Sequence, residues 1–284
     1  MFCNQCEETI GNGCDKIGAC GKTPDVADKQ DELINLLKEI SLLSKDDDEK
    51  VDKFIVDSLF ATITNANFNP EDFDKRLDEA KSFRNNFEGE ITPIKDDVDQ
   101  ESLKQILLYG LKGLAAYAHH AYVLGYKDAA IFDFTKEALS ATIENKSIDE
   151  LVGLVLKCGE IGVTTMALLD KANTEKFGNP EVTHVKLGVG SKPGILISGH
   201  DLNDMKQLLE QTKDSGVDVY THSEMLPGQY YPEFKKYENL VGNYGGAWHA
   251  QKSEFETFNG PILMTTNCIV PPKDSYKSRL FTTG

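Results

Sequence analysis

The chain has 284 residues, 40% of them hydrophobic, which suits about two domains with sizeable cores and excludes a disordered chain. Thirty Lys and Arg against 46 Asp and Glu give a net charge of −16, so polyanions are repelled and we expect no nucleic-acid partner. No run approaches the roughly 18 consecutive apolar residues of a membrane helix, and we expect no membrane partner.

The chain opens with a cysteine-rich segment, MFCNQCEETIGNGCDKIGACGK. It holds four of the six cysteines: Cys3, Cys6, Cys14 and Cys20. A signal peptide needs a basic start followed by an apolar stretch, and this opening has neither. Because the cytosol keeps thiols reduced, clustered cysteines there are more often metal ligands than disulfides. We therefore expect a cytoplasmic protein whose residues 1–22 form a metal-binding loop.

Residues 23–178 carry the apolar periodicity of amphipathic helices. Thr23-Pro24 and Asn69-Pro70 each predict a helix start, with a capping side chain followed by proline at the first helical position. The acidic run 46–49 predicts a solvated loop that enters the next helix, where its charges suit the helix dipole. Longer helices are expected at about 101–124, 129–143 and 148–172. We expect a helical bundle domain over this whole region.

From residue 179 the pattern changes to short β-rich runs separated by helical stretches. Four runs predict strands: GILIS at 194–198, VDVYT at 217–221, PILMT at 261–265 and RLFT at 279–282. Such alternation favours βαβ units and a parallel sheet. A doubly wound sheet normally has more strands, so residues 179–284 are expected to be the first part of a truncated, Rossmann-like α/β domain. The predicted fold class is a helical bundle domain with a cysteine-rich cluster loop, followed by an incomplete parallel α/β domain.

The spacing of the four N-terminal cysteines, C-x2-C-x7-C-x5-C, favours an iron–sulfur cluster but leaves zinc and disulfides open. Four thiolates on one short loop can surround either a zinc ion or an iron–sulfur cube. Paired cysteines are the usual signature of zinc. Here, however, the second pair is spaced more widely than in common zinc knuckles, and only seven residues separate the pairs. The spacing also differs from the two common ferredoxin patterns.

Three further potential metal ligands follow predicted strands: His200 after GILIS, Glu224 after VDVYT and Cys268 after PILMT. Because ligands in open α/β sheets bind beyond the carboxyl ends of the strands, these side chains are expected to meet in one crevice. Their nitrogen, oxygen and sulfur donors suit a transition metal and favour iron. The simpler alternatives are a helix-capping histidine, an exposed turn carboxylate and a buried apolar cysteine. Cys158 lies in the middle of a predicted helix and is expected to be core packing.

Several long motifs occur in the same order as in the hybrid-cluster (prismane) proteins, which are hydroxylamine reductases. They are MFCNQCEET, GACGK, GILISGHDL, DVYTHSEMLP, YYPEFKKY, LVGNYGGAW, FNGPILMTTNCIVP and FTTG. The chain resembles the N-terminal part of that family throughout, most weakly over about 25–150. The resemblance implies a helical N-terminal domain followed by α/β domains.

Carried over by motif, the resemblance implies that the four N-terminal cysteines hold a 4Fe-4S cluster. A subclass with wider cysteine spacing carries a 2Fe-2S cluster instead. The resemblance also implies that His200, Glu224 and Cys268 are ligands of a hybrid 4Fe-2O-2S cluster. In the family, further cysteines and another glutamate complete that cluster from later in the chain, and no cysteine follows Cys268 here. The hybrid-cluster ligand set is therefore expected to be incomplete in this chain.

The implied reaction is the two-electron reduction of hydroxylamine to ammonia and water, with related roles in nitric oxide handling. Electrons from a donor protein would enter at the N-terminal cluster and pass to the hybrid centre, where an open iron site acts as a Lewis acid. His222 is a candidate proton donor, with a structural hydrogen bond as the alternative. Two other classes stay open: a non-enzymatic electron-transfer or redox-sensing subunit, and a zinc-stabilised binding module.

Overall fold

The computed structural model describes residues 1–9, 11–44 and 48–283. The chain divides into two compact units, Met1–Leu169 and Asp170–Gly284. The predicted fold class is confirmed, because helices precede a parallel sheet with interspersed helices. Of the acidic run predicted to be a loop, Asp46 and Asp47 lie outside the described residues.

Helices follow one another from residue 24 to residue 177. They are α1 (Pro24–Leu43), α2 (Glu49–Ala61), α3 (Pro70–Asn85), α4 (Val98–Val123), α5 (Ala129–Ala141) and α6 (Ile148–Phe177). Thr23 accepts a hydrogen bond from the Val26 amide at 3.4 Å, and Asn69 accepts one from the Glu71 amide at 3.0 Å. Because proline follows each cap at the start of the helix, both predicted helix starts are confirmed.

The apolar faces of these helices form the core of the first unit. Its most buried members include Leu33, Leu37, Leu59, Phe73, Leu111 and Leu139. Full burial of such a side chain contributes roughly 1.5–3 kcal/mol, so the core is the main source of stability. Cys158 of α6 is 8% exposed and belongs to this core, where burial raises the pKa of its thiol. The prediction that Cys158 is core packing is confirmed.

α6 departs from the expectation that no segment resembles a membrane helix. Among the helices that the structure describes, it alone is long and apolar enough to cross a membrane, with a mean hydropathy of 1.6 over 18 residues. The prediction considered uninterrupted apolar runs, and Lys157 and Glu160 do interrupt the run in α6. The mean hydropathy of the helix nevertheless stays high, so on length and composition the prediction is wrong. Core helices of water-soluble proteins pass the same test, so these properties alone place no helix in a membrane.

The second unit is built on a parallel sheet. Its elements are β1 (Gly194–Gly199), α7 (Leu202–Thr212), β2 (Asp218–Thr221), β3 (Leu240–Asn243), α8 (Gln251–Thr257), β4 (Ile262–Thr265), α9 (Asp274–Lys277) and β5 (Leu280–Thr283). Within the described residues the strand order is β3-β2-β1-β4-β5. Ile197 of β1 pairs with Thr221 of β2 and with Leu263 of β4. The carboxyl ends of β2, β1 and β4 therefore lie side by side at one edge of the sheet.

Candidate metal centres

The N-terminal loop folds so that two of its cysteines face each other. Cys3 and Cys14 form an antiparallel bridge, in which the Cys3 amide donates to the Cys14 carbonyl at 3.0 Å and the Cys14 amide donates back at 2.8 Å. Both cysteines are therefore held by backbone hydrogen bonds, independently of their sulfur atoms. The bridge brings the first and third predicted ligands to one position in the loop.

Backbone amides and glycines also approach the sulfur atoms. The Ala19 amide donates to Cys14 Sγ at 3.4 Å. A Cβ atom added at Gly18 would lie 3.1 Å from Cys20 Sγ, so glycine allows the chain to pass close to that sulfur. The Thr9 hydroxyl lies 4.0 Å from Cys6 Sγ. A backbone donor, a glycine and a hydroxyl group therefore lie close to the sulfur atoms of Cys14, Cys20 and Cys6, respectively.

Across the described residues, no three His, Cys, Asp or Glu side chains stand close enough together to hold a metal ion. Binding of a metal by the four cysteines therefore stays a prediction. Charge offers an independent check, because four thiolates and their cluster are anionic and need nearby positive groups. A structure suited to such a cluster should hold cations close to the loop.

Two buried lysines meet this requirement. Lys22 is 2% exposed and donates to the side-chain carbonyl of Gln30. Lys112 of α4 is 5% exposed and donates to Gln5 Oε1 at 2.9 Å and to the Thr62 carbonyl at 3.2 Å. All of these acceptors are neutral. Because a buried cation is costly without an anion, the lysines fit a loop that carries an anionic iron–sulfur cluster.

The pKa of Lys112 reflects the same surroundings. Burial, and then repulsion by Lys22, lower the pKa of Lys112 to about 7, while a negative charge on Cys3 opposes that shift. Burial, followed by the same Cys3 charge, raises the pKa of Tyr109. Lys112 and Tyr109 therefore both lie within electrostatic reach of Cys3. Sequence reasoning missed Lys112, although a lysine in the apolar helical run LLYGLKGLAAYA was a usable signal.

In the second unit, two of the three predicted strand-end residues come into contact. His200 directly follows β1, Glu224 lies in a short 3-10 helix after β2, and Cys268 follows β4. Cys268 Sγ lies 3.9 Å from His200 Nε2. Burial, and then the charge of Glu224, raise the pKa of the Cys268 thiol to about 11. The imidazole and the thiol are thus adjacent, and the carboxylate is near enough to act on the thiol.

The backbone around this site adopts conformations that non-glycine residues rarely take. Gly199 has a φ of +106°, and a Cβ atom there would lie 1.7 Å from the Thr265 carbonyl oxygen. Ser223, Thr266 and Cys268 have φ values of 53°, 61° and 69°. Such left-handed residues are strained, and strain of this kind collects at functional sites. The strand ends are therefore held in place by the surrounding packing.

One buried glutamine fixes the Cys268 loop. Gln251 of α8 is 1% exposed. Its side-chain nitrogen donates to the Cys268 carbonyl, and its side-chain oxygen accepts from the Val270 amide at 3.3 Å. The glutamine thus satisfies the carbonyl of Cys268 and the amide of Val270, two residues further along the loop. Sequence reasoning missed it, because its partners lie 17 and 19 residues away on another element.

His222 directly follows β2 and is fully buried. Its Nε2 atom donates to Glu254 at 2.8 Å, and its Nδ1 atom accepts from the Ser198 hydroxyl at 2.9 Å. Burial lowers the pKa of His222, against the attraction of Glu254, so the ring is neutral near pH 7. Since both ring nitrogens are used, the hydrogen bonds match the structural role and not that of a proton donor. Sequence reasoning did not find Glu254.

Comparison with known proteins places this arrangement in a family. The sequence matches the Prismane/CO dehydrogenase family over residues 1–284, and the chain therefore belongs to it. A hydroxylamine reductase of Clostridium novyi (strain NT) is 53% identical, over 100% of this chain and 59% of the relative. Hydroxylamine reductases of Natranaerobius thermophilus and Methanosarcina mazei are 50% and 48% identical, over 100% of this chain and 60% and 59% of theirs. The chain spans about three fifths of the length of these curated relatives.

Proposed function

We propose that these residues form the N-terminal part of an iron–sulfur oxidoreductase that reduces hydroxylamine to ammonia and water. The observation that carries the proposal is the meeting of His200 and Cys268 at the strand ends, 3.9 Å apart and within electrostatic reach of Glu224. The names of the relatives supply the substrate. The reaction takes up two electrons and two protons and cleaves the N–O bond.

At the N-terminal loop, Cys3, Cys6, Cys14 and Cys20 are the proposed ligands of a 4Fe-4S cluster. Membership of the prismane family implies iron–sulfur clusters. The Ala19 amide at Cys14 Sγ and the buried lysines favour an anionic cluster over disulfides, which would bring no negative charge. Such a cluster, when bound, transfers single electrons. An electron-donor protein at a cytoplasmic location is part of the proposal.

At the strand ends, His200, Glu224 and Cys268 are the proposed ligands to part of a hybrid 4Fe-2O-2S cluster. Their nitrogen, oxygen and sulfur donors suit iron. Three side chains are too few for a four-iron cluster, so the proposed activity belongs to a protein as long as the relatives. Gly199 lets β1 and β4 approach, and Gln251 holds the loop that carries Cys268. These residues fix the positions of the donor atoms before any cofactor binds.

The hydrogen-bonded pair of His222 and Glu254 supports the same edge of the sheet. Because Ser198 of β1 donates to His222, the hydrogen bonds join the end of β1 to the start of the loop after β2. Glu254 also accepts from the Gly246 amide at 2.9 Å, which extends the connection to the loop after β3. We assign this network to positioning of the loops.

Substitution of Glu224 in the full-length protein tests the proposal. Glu224→Ala removes a predicted cluster ligand and should lower the rate of hydroxylamine reduction by at least about 100-fold. Loss of even a residue that only supports a metal ligand lowers metal affinity or activity by about 10–100-fold. The reduced-state EPR signal of the N-terminal cluster should be unchanged. Glu256→Ala is the matched control, because the carboxylate of Glu256 pairs with the exposed groups of Lys273 and Ser275, away from the strand ends. Wild-type activity in Glu224→Ala would contradict the proposal.

A further inference from the structure

Lys112 of α4 has a role in the first unit beyond those described above. Its ammonium group is anchored on the cysteine segment itself, because its acceptor Gln5 lies between Cys3 and Cys6. The other acceptor is the Thr62 carbonyl at the end of α2. Lys112 is thus a buried positive charge that α4 brings to the cysteine loop from more than 100 residues away.

The same helix shows what an ordinary buried lysine looks like. Lys104 lies two turns earlier and is 4% exposed. Its ammonium group lies 2.8 Å from both carboxylate oxygens of Asp96, so its charge is neutralised. The hydrogen bonds of Lys112 reach only neutral acceptors. Because buried charges are normally paired, the negative partner of Lys112 is expected nearby.

The cavity beside Cys3 shows on which side of Lys112 its negative partner is expected. A cavity of about 370 Å³ is lined by Cys3, Tyr109 and three lysines, Lys22, Lys38 and Lys112. The carboxylates among its lining residues are Asp31 and Glu101. Positive charges therefore outnumber carboxylates on the side of the loop that Cys3 faces. Beyond Asp31 and Glu101, a thiolate of Cys3 is the remaining source of negative charge among these lining residues.

We infer that Lys112 compensates the charge of the N-terminal cluster and raises its reduction potential, an inference that rests on the proposed function. Lys112 acts as a positioning residue, because its hydrogen bonds go to Gln5 and to the Thr62 carbonyl and thus hold its charge beside the loop. Reduction adds one electron from an external reductant to an already anionic cluster, and no bond is broken. A nearby buried cation stabilises the reduced form more than the oxidised form.

The test is a redox titration of the anaerobically prepared chain, followed by EPR and measured at pH 6 so that Lys112 is protonated. Lys112→Met should lower the equilibrium constant for one-electron reduction about tenfold, which is a shift of about 59 mV to more negative potential. Lys112→Arg keeps the charge and should restore the wild-type potential. The double variant Lys104→Met/Asp96→Asn removes a buried lysine of the same helix together with its neutralising partner, and should leave the potential unchanged.

The outcomes separate this inference from the proposed function. An unchanged potential in an iron-loaded Lys112→Met protein overturns the inference and leaves the proposed function intact. Wild-type protein without iron or sulfide overturns both. Lys112→Gln, which can still donate to the neutral acceptors, provides a second neutral variant if Lys112→Met does not fold. Loss of iron from both neutral variants, with retention in Lys112→Arg, supports charge compensation; equal loss in Lys112→Arg refutes it.

Discussion

Gly199 is the position where a single added methyl group tests the geometry of the strand-end site. A Cβ atom there lies 1.7 Å from the Thr265 carbonyl oxygen, whereas real Cβ contacts are essentially never shorter than 3.0 Å. In Gly199→Ala the ends of β1 and β4 must therefore separate by at least 1.3 Å, the difference between these distances. The same oxygen accepts the His200 amide at 3.3 Å. The substitution should weaken that hydrogen bond and move His200 away from Cys268.

The energetic cost has two parts. A φ of +106° is unfavourable for alanine and costs about 1–2 kcal/mol. Forcing an extra group into close packing costs roughly 1–3 kcal/mol more. Gly199→Ala should therefore lower the free energy of unfolding by about 2–5 kcal/mol, measured by urea denaturation with the slope compared between variants.

Gly216→Ala is the matched control for Gly199→Ala. Gly216 also has a positive φ, +74°, but no atom lies within 4 Å of its added Cβ. Gly216→Ala should lower the free energy of unfolding only by the backbone contribution, about 1–2 kcal/mol. If Gly199→Ala is no less stable than Gly216→Ala, the close approach of β1 to β4 is not as described, and the placement of His200 derived from it is wrong.

Three other predictions concern titration and metal content. Because burial lowers the pKa of His222 from 6.5, the unfolded state binds more protons just below that pH. Stability should therefore fall as the pH drops below about 6.5, and less so in His222→Gln, as urea midpoints at pH 7.5 and 5.5 would show. In metal-free protein the Cys268 thiol, with its pKa of about 11, should react slowly with iodoacetamide, and Glu224→Gln should accelerate the reaction at pH 9 because a negative charge is removed. Equal rates would argue against their proximity. Cys6→Ser should abolish or reshape the reduced-state EPR signal, while Cys158→Ser should keep its iron and lose about 1–3 kcal/mol of stability.

Local signals in the sequence predicted most of the fold. The Thr23-Pro24 start of α1 depends only on neighbouring residues, and the core faces of the helices follow from periodicity. β1, β2, β4 and β5 were expected from their β-rich runs. β3 (Leu240–Asn243) was not recognised as a strand, because a four-residue run that contains glycine and asparagine has little β-propensity of its own. It forms because β2 offers hydrogen bonds at the edge of the sheet.

The residues of the candidate site likewise divide into those that the sequence predicted and those that it did not. His200 and Cys268 were expected to meet because parallel strands align their carboxyl ends, which is a rule of topology. Gln251, Glu254 and Lys112 were not predicted, since each acts on a segment far away in sequence. Their roles depend on tertiary packing that a local pattern does not encode. The supporting groups of a site are therefore harder to predict than the donors themselves.

Metal analysis of the anaerobically purified 284-residue chain decides whether Cys3, Cys6, Cys14 and Cys20 hold an iron–sulfur cluster. Iron, zinc and acid-labile sulfide would be measured on the same sample. A 4Fe-4S cluster at these cysteines gives about four iron and about four sulfide per chain, with no zinc. Zinc in place of iron, without sulfide, would contradict the cluster assignment and the oxidoreductase function proposed from it.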